Sequence, residues 1–128
     1  MEKQQKTSYQ KLISYQKAKQ LVLMIYRLTN SYPKEEFYCL VPQIRRAAIS
    51  VVANIVANIV EGYIKEKPKE YSRFLTILIG SLTELEVLID ISLELKYIGK
   101  DDFNEVSNLI VENKKLLYGS RKRAREKI

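Results

Sequence analysis

One stretch of the chain, from Leu40 to Tyr63, constrains the fold more than any other. On a helix of about 100° per residue its polar residues fall in one narrow band, formed by Gln43, Arg46, Ser50, Asn54, Asn58 and Glu61. Almost every other residue between Ile44 and Val60 is Ile, Val or Ala. Such a helix must be buried over most of its circumference. In a chain of 128 residues this requires flanking helices on several sides, with a second subunit as a further source of cover.

Three other segments carry apolar residues at intervals of three and four, as amphipathic helices do. Proline and glycine residues separate the segments, and no window alternates with a period of two. We therefore predict an all-α fold, an antiparallel up-down four-helix bundle with short connectors in a single domain over residues 1–128. The predicted helices span residues 8–29, 42–62, 68–97 and 102–119, followed by a mobile basic C-terminal tail over residues 120–128.

Two features of the helices need a structural explanation. Residues 53–56 and 57–60 are the same tetrapeptide, Ala-Asn-Ile-Val, either by coincidence or by tandem duplication. The second copy lies about 40° around and about 6 Å along the helix, so we predict one extra turn or a local bulge. Gly80 lies inside the third helix, where glycine costs about 1 kcal/mol relative to alanine. We expect a neighbouring helix to approach it closely.

Composition excludes several kinds of site. The chain has no histidine, which rules out imidazole metal ligands and histidine-based acid–base catalysis. Its single cysteine, Cys39, allows no internal disulfide. No phosphate loop, metal-ligand cluster or catalytic triad is present, so we predict no enzyme activity, no cofactor and no metal. The N-terminus lacks a secretion signal, and the apolar stretch within residues 47–60 is judged too short and too polar to span a bilayer, so we expect a cytoplasmic protein.

The net charge of +7, from 22 Lys and Arg against 15 Asp and Glu, favours a polyanionic partner, most simply RNA, or serves solubility. The basic residues concentrate in the first helix and in the C-terminal tail. The candidate phosphate-contacting residues are Lys11, Lys17, Lys19, Arg121, Lys122, Arg123 and Arg125. The tail is alternatively a solvated end. Tyr9, Tyr15 and Tyr26 either stack on bases or form half-buried core.

Polar residues on the second helix must find partners, because an unpaired buried amide costs roughly 1–3 kcal/mol. Arg45 lies on the apolar side of the helical wheel, and we predict a structural ion pair with Glu84 or Glu86, either within a subunit or between subunits. For Asn54 and Asn58 we predict a hydrogen bond between helices that fixes their register, with a ligand-binding ladder as the alternative. Arg46 and Glu61 complete the set of structural or interface polar residues.

Several motifs together resemble a known family. They are QIRRAAIS at 43–50, Ala53-Asn54, NIVEGY at 58–63, KEY at 69–71, RFL at 73–75 and GSLTELE at 80–86. The chain resembles the small four-helix-bundle proteins encoded in intervening sequences of bacterial 23S ribosomal RNA genes. It departs from their pattern at Val52, which replaces a usual proline, at Lys67-Pro68, which replaces a Ser or Thr cap, and in having two copies of the asparagine.

The resemblance implies an antiparallel bundle that assembles as a ring-shaped homopentamer. It also implies kinship with the accessory proteins of diversity-generating retroelements, which bind nucleic acid and a reverse transcriptase. No catalytic residues are implied. Our first hypothesis is a non-enzymatic oligomer that binds nucleic acid, most simply RNA, through phosphate contacts. The alternative is a protein-interaction scaffold for a reverse transcriptase or other polymerase; neither hypothesis involves a membrane or a small-molecule substrate.

Overall fold

The computed structural model describes residues 12–60 and 66–128 and contains four α-helices there. They are α1 (Ile13–Thr29), α2 (Leu40–Val60), α3 (Pro68–Glu94) and α4 (Lys100–Glu126), and a 3₁₀ helix at Lys34–Tyr38 joins α1 to α2. Each helix packs against the next one along the chain, and α4 also packs against α1. The predicted all-α, antiparallel up-down four-helix bundle is confirmed.

The core forms where the apolar residues of the four helices meet. Its most completely buried side chains include Leu21, Ile25, Ile44, Val51, Leu82, Leu85, Val106 and Ile110. They recur at intervals of three and four within each helix, so one face of each helix points inward. Full burial of each such side chain contributes roughly 1.5–3 kcal/mol, which makes this core the main source of stability.

Within the single chain, α2 is buried on one side only. Ile44 is 0% exposed and Ile55 is 7% exposed, as expected of the core side. Ile49, Ala53 and Ala57, however, are exposed on the opposite side. The flanking helices of the same chain therefore cover only one side of α2, because α1 and α3 contact it from that side. Cover of the other side by a second subunit stays a prediction.

The hydrophobicity of α2 also corrects the expectation about membranes. Within the described residues, the segment Leu40–Ile59 is by length and composition alone long and apolar enough to cross a bilayer. Only 39% of its most apolar window is buried inside the bundle. A core helix of a soluble bundle meets the same criterion, and here the buried half of the segment is packed against α1 and α3.

The helix α3 ends at Glu94, three residues earlier than predicted. Lys96 adopts a left-handed backbone conformation with φ of 65°. Its N–H donates to the Leu93 carbonyl at 2.9 Å, and the Tyr97 N–H donates to the Ser92 carbonyl at 2.9 Å. This pair of bonds is a Schellman cap, which usually has glycine at the left-handed position. Because lysine rather than glycine occupies that position, the cap could not be predicted from the sequence.

The prediction of a mobile tail after residue 119 is wrong, because α4 continues to Glu126. Gly119 lies inside the helix, and Ala124 is buried at 4% exposure. The helix begins at Lys100 with Gly99 as its N-cap, so Asp101 and Asp102 lie in the first turn rather than at the cap. Arginines near a helix C-terminus interact favourably with the helix dipole, which helps α4 to continue to its observed end.

The remaining predictions about the fold concern two helix ends, the repeated tetrapeptide and Gly80. The predicted start of the first helix at residue 8 and the predicted end of the second at Gly62 lie outside the described residues. The repeated tetrapeptide lies in continuous α-helix, with no bulge over residues 53–60. Gly80 is exposed, and outside its own stretch of helix no atom of the described residues lies within 4 Å of the position that a Cβ would occupy there. The predicted close approach of a helix to Gly80 is therefore absent within the described chain.

Candidate nucleic-acid interface

Charge is distributed unequally between the two halves of the bundle. Residues 84–105, which include the end of α3 and the start of α4, contain seven acidic and two basic residues. Residues 112–127, in the second half of α4, contain seven basic and two acidic residues. Because α3 and α4 are antiparallel, the basic segment lies beside the start of α3, away from the acidic segment. An anionic ligand is therefore attracted to the end of the bundle that holds the C-terminus of α4.

At this end, two arginines of α4 are anchored on α3. Arg121 donates from Nη1 to the Thr76 hydroxyl at 3.2 Å, and Arg125 donates from Nε to the Ser72 hydroxyl at 3.3 Å. The Arg121 guanidinium also lies 5.1 Å from the centre of the Tyr118 ring. We call the five residues Ser72, Thr76, Tyr118, Arg121 and Arg125 the cationic seam. Since both anchors are neutral hydroxyls, they hold the guanidinium groups in place without neutralising their charge.

The surroundings of the cationic seam leave it open to solvent. Tyr118, Arg121 and Arg125 line a shallow depression together with Lys122 and Glu126. Arg123 points elsewhere and donates to the Ser120 hydroxyl of its own helix at 3.2 Å. All four basic residues predicted in the C-terminal segment therefore lie on one helix, but only Arg121 and Arg125 are bonded to a second helix.

The predicted basic face of the first helix contributes less. Lys17 forms an ion pair with Glu112 of α4 at 2.7 Å, which compensates its charge. Lys19 is exposed, whereas Lys11 and Tyr9 lie outside the described residues. Tyr15 is half-buried against the core, which favours the structural interpretation of that ring.

Within the chain Arg45 does not pair with Glu84 or Glu86, so the predicted ion pair within a subunit is wrong. Its Nε donates to the Thr29 hydroxyl at 3.0 Å and its Nη2 donates to Asn30 Oδ1 at 3.2 Å. The reason is its height in the bundle: Arg45 lies near the start of α2, level with the end of α1. The two predicted partners lie elsewhere, with Glu84 exposed and Glu86 paired with Lys114 of α4.

Aromatic rings cover the same arginine. The Arg45 guanidinium lies 4.3 Å from the centre of the Tyr26 ring and 5.5 Å from that of Phe37. Both distances fall within the range of cation–π interactions. Tyr26 is thus engaged with Arg45, although its side chain remains 38% exposed. We call Tyr26, Thr29, Asn30, Phe37 and Arg45 the Arg45 cluster.

Asn54 and Asn58 form no bond between the described helices, contrary to prediction. Each side-chain amide donates at 2.7 Å to the carbonyl four residues earlier in α2, from Asn54 to Ser50 and from Asn58 to Asn54. A side-chain amide of α4 does form a hydrogen bond between two helices: Asn113 donates to the Lys17 carbonyl of α1 at 3.2 Å. Of the other predicted polar residues, Arg46 is exposed and Glu61 lies outside the described residues.

A further polar contact ties the 3₁₀ helix to the end of α3. The Tyr97 hydroxyl donates to Glu36 Oε2 at 2.7 Å. This hydrogen bond, followed by burial and the charges of Glu36 and Glu35, raises the pKa of Tyr97 to about 12. The Tyr97 ring lies 5.3 Å from that of Tyr32. Sequence reasoning did not find this contact, because 61 residues separate the two partners.

Over residues 12–60 and 66–128, no three Cys, Asp or Glu side chains lie close enough together to hold a metal ion. Cys39 is a free, exposed thiol in the first connector. What the geometry offers is an anion-attracting surface with two positioned guanidinium groups.

Comparison with known proteins adds one finding. A family model described as 23S rRNA-intervening sequence protein matches residues 10–119. No curated protein matches the chain. The match covers α1, α2 and α3 and most of α4, and it stops before Arg121, so both arginines of the cationic seam lie beyond it.

Proposed function

The chain belongs to the 23S rRNA-intervening sequence protein family, and from this premise we propose that it is a non-enzymatic, oligomeric bundle protein that binds RNA through phosphate contacts. The observation that carries the proposal is the cationic seam, in which Arg121 and Arg125 are held by neutral hydroxyls. Arginine binds phosphate through several N–H groups in a fixed plane, and an uncompensated guanidinium keeps its full charge for that purpose.

The remaining basic residues support the seam through the long-range field. Lys115, Lys122 and Arg123 are exposed along the same part of α4, and Lys127 is exposed directly after its end. Neutralising several phosphates releases condensed counterions, and this release is the main driving force of sequence-independent RNA binding. If several copies assemble, each contributing one such segment, weak contacts add up to useful affinity.

Self-association is supported by apolar residues that the single chain leaves uncovered. Exposed apolar side chains follow one face of α3 at helical spacing, namely Ile77, Val87, Ile91 and Leu95. Gly80 lies on the same face, with open space where a Cβ would be. The neighbouring α2 exposes Ile49, Ala53 and Ala57. Exposed apolar side chains on two neighbouring helices support an interaction site, although the exposed Glu84 also lies on this face of α3.

The RNA proposal is tested by fluorescence anisotropy with a labelled RNA oligonucleotide over a series of salt concentrations. We expect the logarithm of the affinity to fall linearly with the logarithm of salt concentration, with little dependence on sequence. An acidic polymer of matched charge density serves as the competitor control. An affinity for RNA that stays constant from low to high salt contradicts the phosphate mechanism.

The oligomer proposal is tested by light scattering of the wild type and of Gly80→Ala. Within one chain the substitution removes a mid-helix glycine from an open position, so it should stabilise the folded monomer by about 1 kcal/mol. In an oligomer that packs a helix against Gly80, the added methyl group should weaken association. Gly119→Ala, in the interior of α4, is the matched control and should leave the mass unchanged. A wild-type protein with the mass of one chain contradicts self-association.

A further inference from the structure

The two arginines of the cationic seam are arranged as a pair. Arg121 and Arg125 are four residues apart on α4, which places their Cα atoms about 6 Å apart along one helical face. Their hydroxyl anchors, Thr76 and Ser72, are also four residues apart, on the antiparallel α3. The two helices therefore repeat an arginine–hydroxyl contact one turn later, through Nη1 in Arg121 and through Nε in Arg125. Both arginines line the same shallow depression.

Three other cations of the described chain are held by carboxylates instead. Arg73 pairs with Glu70, Lys114 with Glu86, and Lys17 with Glu112, so an acidic residue compensates each of them. Neither guanidinium of the seam has a carboxylate oxygen within 4.0 Å among the residues that the structure describes. Glu126 lines the same depression without forming an ion pair with either.

The hydroxyl anchors leave binding capacity unused. A guanidinium has five N–H donors, and here one N–H of each arginine is bonded to an anchor. The remaining donors are available to an anion. Because the anchors already restrict the two long side chains, less conformational entropy is lost when an anion binds.

We propose that Arg121 and Arg125 form a paired phosphodiester site, in which each guanidinium binds one of two consecutive phosphates on the same RNA strand. Thr76 and Ser72 act as positioning residues that fix the distance between the two guanidinium groups. The inference rests on the proposed RNA binding and assigns its specific contacts, since one turn of α4 corresponds to one step between neighbouring phosphates. The site contacts only the backbone, so it binds RNA and DNA strands of the same sequence alike.

The experiment uses variants of the full chain that keep the net charge constant. The first is the double variant Arg121→Lys and Arg125→Lys, which keeps both charges and removes the planar guanidinium groups. The second is Ser72→Ala and Thr76→Ala, which removes both anchors. Arg123→Lys is the matched control, because Arg123 is bonded only to Ser120 of its own helix. Affinity for a short RNA and for the DNA of the same sequence is measured by anisotropy across a salt series.

We expect the double lysine variant to bind RNA about tenfold more weakly and the double alanine variant about threefold more weakly, since planar, pre-oriented donors are lost. The slope of affinity against salt concentration should be unchanged in both, because the number of charges is the same. Arg123→Lys should bind like the wild type. Circular dichroism melting confirms folding, and alanine within α3 favours the helix.

Two results would contradict the paired site while leaving the proposed RNA binding intact. The first is that both double variants bind RNA like the wild type, with the same salt dependence. The second is that the wild type binds RNA but not the DNA of the same sequence, which would show that binding requires the 2′-hydroxyl. The absence of any RNA binding by the wild type at low salt would instead remove the proposed function and the paired site together.

Discussion

Arg45 and the arginines of the cationic seam are both held by neutral side chains of a neighbouring helix, yet their surroundings differ. In the Arg45 cluster one guanidinium has two hydrogen-bond acceptors, Thr29 and Asn30, and lies over two aromatic rings. In the seam, Arg121 and Arg125 each have a single hydroxyl acceptor. The first arrangement covers the charge, and the second leaves it facing solvent.

The comparison shows that an arginine's role depends on how many of its donors and faces the fold already uses. In contact with two aromatic rings and bonded at two nitrogens, Arg45 contributes to packing between α1, α2 and the 3₁₀ helix. The seam arginines have N–H donors that the fold does not use and surface that is open to solvent, so they can bind an anionic ligand. The basic residues of α4 add a field at the seam, whereas acidic residues dominate the other half of the bundle.

The largest effect on stability is expected for Arg45→Ala. The substitution removes two hydrogen bonds of about 1 kcal/mol each and the cation–π contacts with Tyr26 and Phe37, so we expect a loss of about 2–3 kcal/mol in the free energy of unfolding. Urea denaturation measures it. Arg46→Ala, at the adjacent exposed position, is the control and should change stability by less than about 0.5 kcal/mol. Equal effects of the two substitutions would remove the structural role assigned to Arg45.

The second-largest effect is expected in the cationic seam, where substitution should change RNA binding more than it changes stability. The double variant Arg121→Ala and Arg125→Ala should lose at least about tenfold in RNA affinity, or about 1.4 kcal/mol, with less than about 1 kcal/mol lost in stability. The slope of log affinity against log salt concentration should fall by about 2, one for each phosphate contact. A folded Arg45→Ala protein should keep the wild-type slope. If Arg45→Ala and the double alanine variant change the slope of log affinity against log salt concentration by the same amount per removed charge, Arg45 and the seam arginines do not differ in their contact with RNA.

Periodicity predicted the faces of the helices but not the heights at which their side chains meet. The wheel placed Ile44 and Val51 on a buried face, and both are fully buried. It also put Arg45 on the apolar side, yet choosing between Thr29 and Glu84 as its partner requires knowing how far α2 slides past its neighbours. That offset follows from packing between helices and leaves no local signal in the sequence.

The C-terminal segment shows a second limit of sequence reasoning. Residues 120–128 contain few apolar residues, which favoured a mobile tail, although Arg, Lys and Ala are all good helix formers. The deciding contacts come from Ser72 and Thr76 of α3, more than 40 residues away. The cationic residues themselves could be listed from the sequence, but their division into anchored and free side chains could not.

A smaller effect concerns the backbone at the acidic half of the bundle. Lys96→Gly should stabilise the protein by about 0.5–1 kcal/mol, because glycine relieves the left-handed conformation that lysine adopts at φ of 65°. Thermal or urea unfolding measures the gain. Lys127→Gly is the control at the basic end, where the C-cap of α4 has φ of −94°, and should bring no gain. A destabilised Lys96→Gly protein would contradict the assigned Schellman cap.

The smallest effect is a pH dependence in the acidic half of the bundle, through Tyr97 and Glu36. The hydrogen bond to Glu36 raises the pKa of Tyr97 from 10.0 to about 12, so its contribution to stability is fully present below about pH 10 and is lost as the pH rises through 12. In a spectrophotometric titration, Tyr97→Phe should remove one late-ionising tyrosine, and Glu36→Gln should return its pKa toward 10 by removing the carboxylate charge. Glu35→Gln is the control with the smaller expected effect, since its charge is the last of the causes. Burial also raises the pKa of Tyr32 and Tyr71, but neither should respond to Glu36→Gln. A late ionisation that persists unchanged in Tyr97→Phe would assign it to one of those two buried rings instead.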